Sequence, residues 1–143
     1  MSAAKLYTVE MLAATVELAN WPLLDGAPLH GRARSDTCGS ALELDVMPDG
    51  TGDIGQVGMQ VRACAVGQAS AAIFARHAKG RSPMDIAHTL DEIVGWLKND
   101  GPMPDWPDLG LIAPAREHRG RHGAILLPWK AALEALSTSR SLG

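Results

Sequence analysis

Aromatic residues are scarce in this chain: one tyrosine, one phenylalanine and four tryptophans in 143 residues. Charge of one sign is also lacking, since 13 basic side chains face 16 acidic ones for a formal net charge of -3. With no basic excess and no paired aromatic platform for bases, a nucleic-acid footprint is not expected. Long hydrophobic runs are absent too, and the apolar stretches are far too short to span a bilayer. Glu10 and Glu17 interrupt what would be the apolar core of a secretory signal, so a cytoplasmic protein with reduced thiols is expected. Only two cysteines are present. That count is compatible with a disulfide, with two inert core residues or with a thiol site, and decides nothing alone.

What is there suits one globular domain over residues 1–143, with 46% hydrophobic and 20% charged residues. Thr8 can cap a helix over residues 8–20 whose core face carries Val9, Leu12, Val16 and Ala19. Residues 21–31, with two prolines and two glycines, read as a connection, and a weakly signalled strand follows near His30–Arg34. Ala41–Met47 alternates cleanly, Leu42, Leu44 and Val46 against Glu43 and Asp45. After the turn at residues 48–53 a second alternating strand runs from about Ile54 to Ala63, so residues 41–63 form an antiparallel hairpin with one buried side. An alanine-rich helix spans 64–79, with Gly80 as its stop. Ser82, Pro83 and Asp85 mark the start of another, over 82–98, with Ile86, Leu90, Ile93, Val94 and Leu97 as its stripe. A Pro-rich loop surrounds Trp106, tucked on the core or serving as a contact surface. A last helix covers 126–136, with Pro128 tolerable in its first turn, and a frayed tail occupies 137–143. The expected fold class is α+β: a small antiparallel three-stranded sheet packed on one face by helices.

Both cysteines fall between Arg34 and Ser82. Cys38 lies just before the hairpin and Cys64 where the return strand becomes a helix, so the two thiols can converge at one end of the sheet. A helix N-terminus favours an anionic group, and Arg34 and Arg62 add positive charge nearby. Gly39 allows a sharp turn that leaves the first sulfur accessible. Burial of both thiols as small hydrophobes is the alternative.

This stretch resembles the U-type iron–sulfur cluster assembly scaffolds, the IscU, SufU and NifU N-terminal family. Thr37-Cys38-Gly39 is similar to the family's first cysteine motif, and Ala63-Cys64-Ala65-Val66-Gly67-Gln68-Ala69-Ser70 to the second, with Ala63 for the usual glycine. Lys79-Gly80-Arg81-Ser82 resembles the family's turn between helices, and Leu127-Pro128-Trp129-Lys130-Ala131-Ala132-Leu133 an element of the SufU branch. The resemblance covers about residues 30–136. It implies a two-layer fold shared with the SufE-type sulfur acceptors. It also implies that Cys38 and Cys64 bind iron or a transient Fe–S cluster, with zinc as an alternative metal. A cysteine desulfurase would be the sulfur donor and Fe–S apoproteins the recipients.

The departures are specific. The family's motif aspartate is replaced by Ser40, and its third cysteine falls on Ala124. Two thiolates leave half of a four-ligand shell empty. His122, two residues before Ala124, and His118 can supply a nitrogen, or Asp36 an oxygen, and a homodimer can complete the shell across an interface. The plainer alternatives are that the two histidines are solvated among Arg116, Arg119 and Arg121, and that Asp36 caps a local turn. His77 stands nearly four turns from Cys64 along one helix, too far to share its shell. The basic loop is either solvated or a docking surface for an acidic partner. No acid/base pair, phosphate loop or nucleophile triad is visible, so a carrier is expected rather than an enzyme in the strict sense. A degenerate adaptor without metal and a persulfide-carrying sulfurtransferase are the rival expectations.

Overall fold

The computed structural model describes residues 6–36, 39–99 and 101–142. Helix α1 (Val9–Glu17) begins as the sequence predicts, with the Thr8 hydroxyl accepting from the Met11 N–H at 3.1 Å, and a 3-10 turn extends it over Leu18–Asn20. Its buried face is not the predicted one. Met11 and Ala14 are fully buried, whereas Val9 and Val16 are 79% and 76% exposed. Two apolar stripes run along this helix at i, i+3, i+7 spacing, and packing against the following helix selects the one through Met11, Ala14 and Leu18.

Strands β1 (Leu29–Arg34), β2 (Ala41–Pro48) and β3 (Ile54–Arg62) form an antiparallel sheet in the order β1-β2-β3. The alternation read in the sequence holds. Leu42, Leu44 and Val46 pair with Val61, Met59 and Val57 on the inner face, and Ala41, Glu43 and Asp45 with Arg62, Gln60 and Gly58 on the outer. The outer face is not wholly solvated, because the 21–24 connection crosses it. A Cβ on Gly58 would lie 2.1 Å from the Pro22 carbonyl oxygen, the Met59 N–H donates to Trp21 O at 2.8 Å, and the Leu24 N–H donates to Asp45 Oδ2 at 3.0 Å.

Helix α2 (Ala65–Arg76) ends three residues short of the predicted Lys79. The chain leaves the helix because β3 takes the backbone of the next residues. Gly80, at φ +86°, donates its N–H to Ile54 O at 2.7 Å, and Ile54 donates back to Arg81 O at 3.0 Å. Helix α3 (Pro83–Asn99) opens on a reciprocal cap, with Asp85 N–H to Ser82 Oγ at 3.1 Å and Ser82 N–H to Asp85 Oδ2 at 2.9 Å. Residues 101–108 around Trp106 form the expected loop, and two 3-10 segments, Leu109–Glu117 and Arg119–Arg121, follow it.

Helix α4 spans His122–Leu142, starting four residues before the predicted Leu126 and remaining helical as far as Leu142. Pro128 therefore sits inside the helix rather than in its first turn. Its missing N–H leaves the Ala124 carbonyl without the usual i−4 donor, and one residue on, the buried Ser70 hydroxyl donates to Ile125 O at 2.7 Å. α4 lies directly on β1, where a Cβ on Gly31 would fall 1.9 Å from the Ala131 carbonyl oxygen. The core between sheet and helices centres on Phe74, Trp106 and Trp129, with ring centroids 5.3–5.5 Å apart. Trp106 is thus tucked in, 2% exposed, its indole N–H donating to Ile73 O at 3.1 Å.

Candidate functional site

The register across the sheet places the two cysteine-bearing segments at one end. Arg34, Ala41 and Arg62 lie side by side on β1, β2 and β3. Beyond them the chain runs into the 35–40 loop on one side and into Ala63-Cys64 on the other. The loop is closed by its own backbone, Ser35 N–H to Ser40 O at 2.8 Å and Gly39 N–H to Ser35 O at 3.0 Å, with Gly39 at φ +71°. Cys38 and Thr37 lie outside the described residues. Ser40, at the position of the family's aspartate, is 4% exposed, and Asp36 is exposed.

Cys64 is the N-cap residue of α2, with extended backbone, φ −64° and ψ 170°, and a half-buried free thiol. Its carbonyl accepts from Gln68 N at 2.9 Å, while the Gln68 side chain donates to Ala63 O at 2.9 Å and fastens the strand-to-helix corner. One turn in, Gly67 is closed on both sides. A Cβ there would lie 2.7 Å from the Ala63 methyl and 3.0 Å from the Ala124 methyl. The first turn of α4 therefore rests against the first turn of α2, and Ala124 stands fully buried beside the turn that Cys64 opens. Ser70, the last residue of the second motif, fixes this contact through Ile125. Its structural role is visible only in three dimensions.

His122 is engaged elsewhere. Its Nε2 lies 2.7 Å from the Arg116 carbonyl oxygen, which can only accept, so Nε2 carries the proton and Nδ1 alone is free to act as a ligand. Two residues along a helix are about 200° apart, so His122 and Ala124 leave α4 on different sides. Arg116 in turn donates to Trp96 O at 2.9 Å and stacks its guanidinium 5.0 Å from the Trp96 ring centroid, while Arg121 reaches the Tyr7 hydroxyl at 3.3 Å. Half of the basic loop thus folds inward. His118 and Arg119 are exposed. Among the described residues no three His, Cys, Asp or Glu side chains gather where one ion could be held, so Asp36, Cys64 and His122 form no such cluster.

The other end of α2 carries a charge network that sequence reading missed. Arg76 donates to Glu17 at 2.8 Å and to Asp108 at 3.2 Å, and His77 Nε2 is 2.7 Å from Asp108. Asp108 adopts φ +68°, a left-handed conformation rare outside glycine. The hydrogen bond from His77 first, then Arg76, holds the Asp108 carboxyl below its usual range, and the bond from Arg76 does the same for Glu17. A cleft of about 710 Å³ lies at this end, lined by Trp21, Pro22, Leu24, Val57, Arg76 and Lys79 among others.

No family model matches the chain, and no curated protein matches it in sequence. Solved structures do match its fold. The N-terminal part of a nitrogen-fixing NifU-like protein from Brucella abortus superposes with a TM-score of 0.89 at 23% identity, covering 98% of each chain. A putative iron–sulfur cluster assembly scaffold protein for the SUF system from Fervidobacterium islandicum AW-1 gives 0.79 at 18% identity, over 94% of this chain and 99% of its own. A third, described only as a hypothetical protein, gives 0.66 at 18% identity over 89% and 96%. The chain therefore has the α+β fold of these proteins, as its sequence resemblance implies.

Proposed function

We propose that the chain is a U-type scaffold-like carrier in iron–sulfur cluster assembly. The reading rests above all on one observation: the fold is shared over nearly all of both chains with a NifU-like N-terminal domain, and the segments bearing Cys38 and Cys64 leave the same end of the sheet. Iron or a nascent cluster is cargo here, with Cys38 and Cys64 as its thiolate ligands and His122 Nδ1, Asp36 or a second copy of the chain as candidates to fill the shell. Zinc is the alternative metal. A cysteine desulfurase would deliver sulfur and Fe–S apoproteins would receive the cluster, in the cytoplasm. No described helix is long and apolar enough to cross a membrane.

The test is reconstitution without oxygen, using ferrous iron, cysteine and a cysteine desulfurase, on the native chain and on Cys38→Ala, Cys64→Ala and the double variant. Bound iron and sulfide that fall in each single variant and vanish in the double are expected. Folded native protein that acquires neither iron nor sulfide, and no extra sulfur atom on either cysteine, would overturn the proposal.

One observation favours a second reading, an adaptor that carries no cluster. Ala124 offers a methyl group where the family has a thiol, buried against Gly67. A native chain that binds the desulfurase tightly while remaining free of iron, sulfide and added sulfur would decide for it.

A further inference from the structure

The outer face of the sheet is divided in two. The chain's own 21–24 segment crosses it at the Asp45–Gly58 row, leaving Met47 and Gln56 exposed on the side of the β2–β3 turn. The half nearer Cys64 is open and consists of two rows, Arg32–Glu43–Gln60 and Arg34–Ala41–Arg62. Three exposed arginines therefore stand on one open surface of a chain whose net charge is -3. Arg119 is likewise exposed, but four other arginines are engaged within the fold. Arg76 is bound by Glu17 and Asp108, Arg81 lies 4.2 Å from the Trp106 ring centroid, and Arg116 and Arg121 bond to Trp96 O and Tyr7. The guanidinium groups of Arg32, Arg34 and Arg62 make no hydrogen bond or ion pair among the described residues.

The surface has shape as well as charge. Ala41 is the small floor between Arg34 and Arg62, two strand spacings apart, about 10 Å. Arg32 and Arg34 are two residues apart on β1, about 7 Å. A cleft of about 320 Å³ runs over them, lined by Arg32, Ala33, Arg34, Ala41, Leu42 and Glu43. Guanidinium forks pair carboxylates in two-point geometry and shed water more readily than lysine does. An extended peptide repeats its side chains on one face at the same spacing of about 7 Å. The occupant lies across the face and not along an edge. The Arg32 N–H on the β1 edge already donates to Glu134 at 3.0 Å, and the β3 edge is engaged at Ile54 and Met59.

We infer that this open half of the sheet is a recognition surface for an extended acidic segment of a protein partner, whose alternate carboxylates are held by Arg32 and Arg34 and a further one by Arg62, beside the Cys64 end. The inference goes beyond the assembly reading, because the surface works whether or not Cys64 holds cargo. Its partner is defined by chemistry alone.

The probe is a fluorescein-labelled peptide alternating aspartate and valine, titrated into the full chain, with its asparagine counterpart, a single-stranded oligonucleotide of equal charge and inorganic phosphate as comparisons. The aspartate peptide is expected to bind more weakly as salt rises from about 50 to about 200 mM. It should shift the amide resonances of residues 31–34, 41–43 and 60–62, and lose roughly tenfold in affinity in Arg34→Glu/Arg62→Glu. The neutral Arg34→Gln/Arg62→Gln variant should lose less, which separates charge from folding, and both variants should keep the circular-dichroism spectrum and denaturant midpoint of the native chain. Absent binding, shifts confined to other residues, or affinity unchanged in both variants would overturn the inference. Equal or tighter binding of the oligonucleotide or phosphate would overturn it in favour of a general polyanion surface.

Discussion

Helix α2 has two differently built ends. At its C-terminus, Arg76 and His77 are gripped by Glu17 and Asp108, Trp106 stacks on Phe74, and Arg81 covers the indole. Charge, aromatic area and backbone hydrogen bonds all fasten that end. At its N-terminus, Cys64 makes no side-chain capping bond, and close packing is achieved with the smallest residues in the alphabet, Ala63, Gly67 and Ala124. One end is held by specific partners. The other is held by closeness and by two neutral bonds, Gln68 to Ala63 O and Ser70 to Ile125 O, and its thiol stays half-exposed beside an open arginine surface. The candidate thiol stands at the end of α2 that, among the described residues, no ion pair fastens.

The contrast can be broken most severely at the fastened end. Trp106→Ala should cost about 3–5 kcal/mol, by lost transfer energy and an unfilled space between Phe74 and Trp129, read from the denaturant midpoint. Cys64→Ala, made alongside, should move stability by less than about 1 kcal/mol. A comparable loss at Cys64 would show that the thiol end is as firmly built as the other.

Next in size is the packing of small residues. Gly67→Ala should cost about 1–3 kcal/mol, since its methyl would meet those of Ala63 and Ala124. Adding Ala63→Gly should recover part of the loss, because it removes the nearer obstacle. A double variant no better than the single would place the conflict wholly on Ala124.

The charge network supplies a smaller, pH-dependent effect. Folding lowers the pKa values of Glu17 and Asp108. Their stabilisation is therefore present above the ordinary carboxylate range near pH 4 and is lost as pH falls through the depressed folded-state values. Thermal unfolding followed downward from pH 6 should show this loss, and Arg76→Gln should flatten it. Both carboxyls are partly solvated, so salt should weaken the effect. An acid profile unchanged in Arg76→Gln would remove the network from the comparison.

Ala124→Cys tests the thiol end directly, at a fully buried residue packed on Gly67, and is read by bound metal rather than by stability. The same change places a third thiol next to the turn that Cys64 opens. Iron retained after reconstitution should rise above that of the native chain. Retention equal to native would count against a shared shell at this end.

The hairpin was legible because alternation over Ala41–Met47 and Val57–Ala63 leaves one register that buries Leu42, Leu44, Val57 and Met59 together, while the irregularity at Met47/Pro48 that brings Ile54 into the core left no such sign. Placing the two cysteine segments at one end of the sheet follows from that register. The start of α3 was legible because a reciprocal cap is a local device. What escaped was decided at a distance. α1 carries two equivalent apolar stripes, and only the packing of α2 chooses between them. The end of α2 depends on Ile54 needing the backbone of Gly80 and Arg81. The orientation of His122 depends on a carbonyl, that of Arg116, which leaves no side-chain signature. Glu17, Arg76 and Asp108 come from three separate elements and form no motif.

Pro128 turns α4 into two levers on one pivot. The long arm is laid on the sheet, where the Ala131 carbonyl rests over Gly31. The short arm, from His122 to Leu127, has lost a rung of its own ladder at the pivot, and helices bend at such rungs. Holding it are the Ser70 hydroxyl on Ile125 O, a bond to a different helix, the His122 bond to Arg116 O, and the burial of Ala124, Ile125 and Leu127. Ser70→Ala removes the first of these and should be read as the loosening of one catch among three.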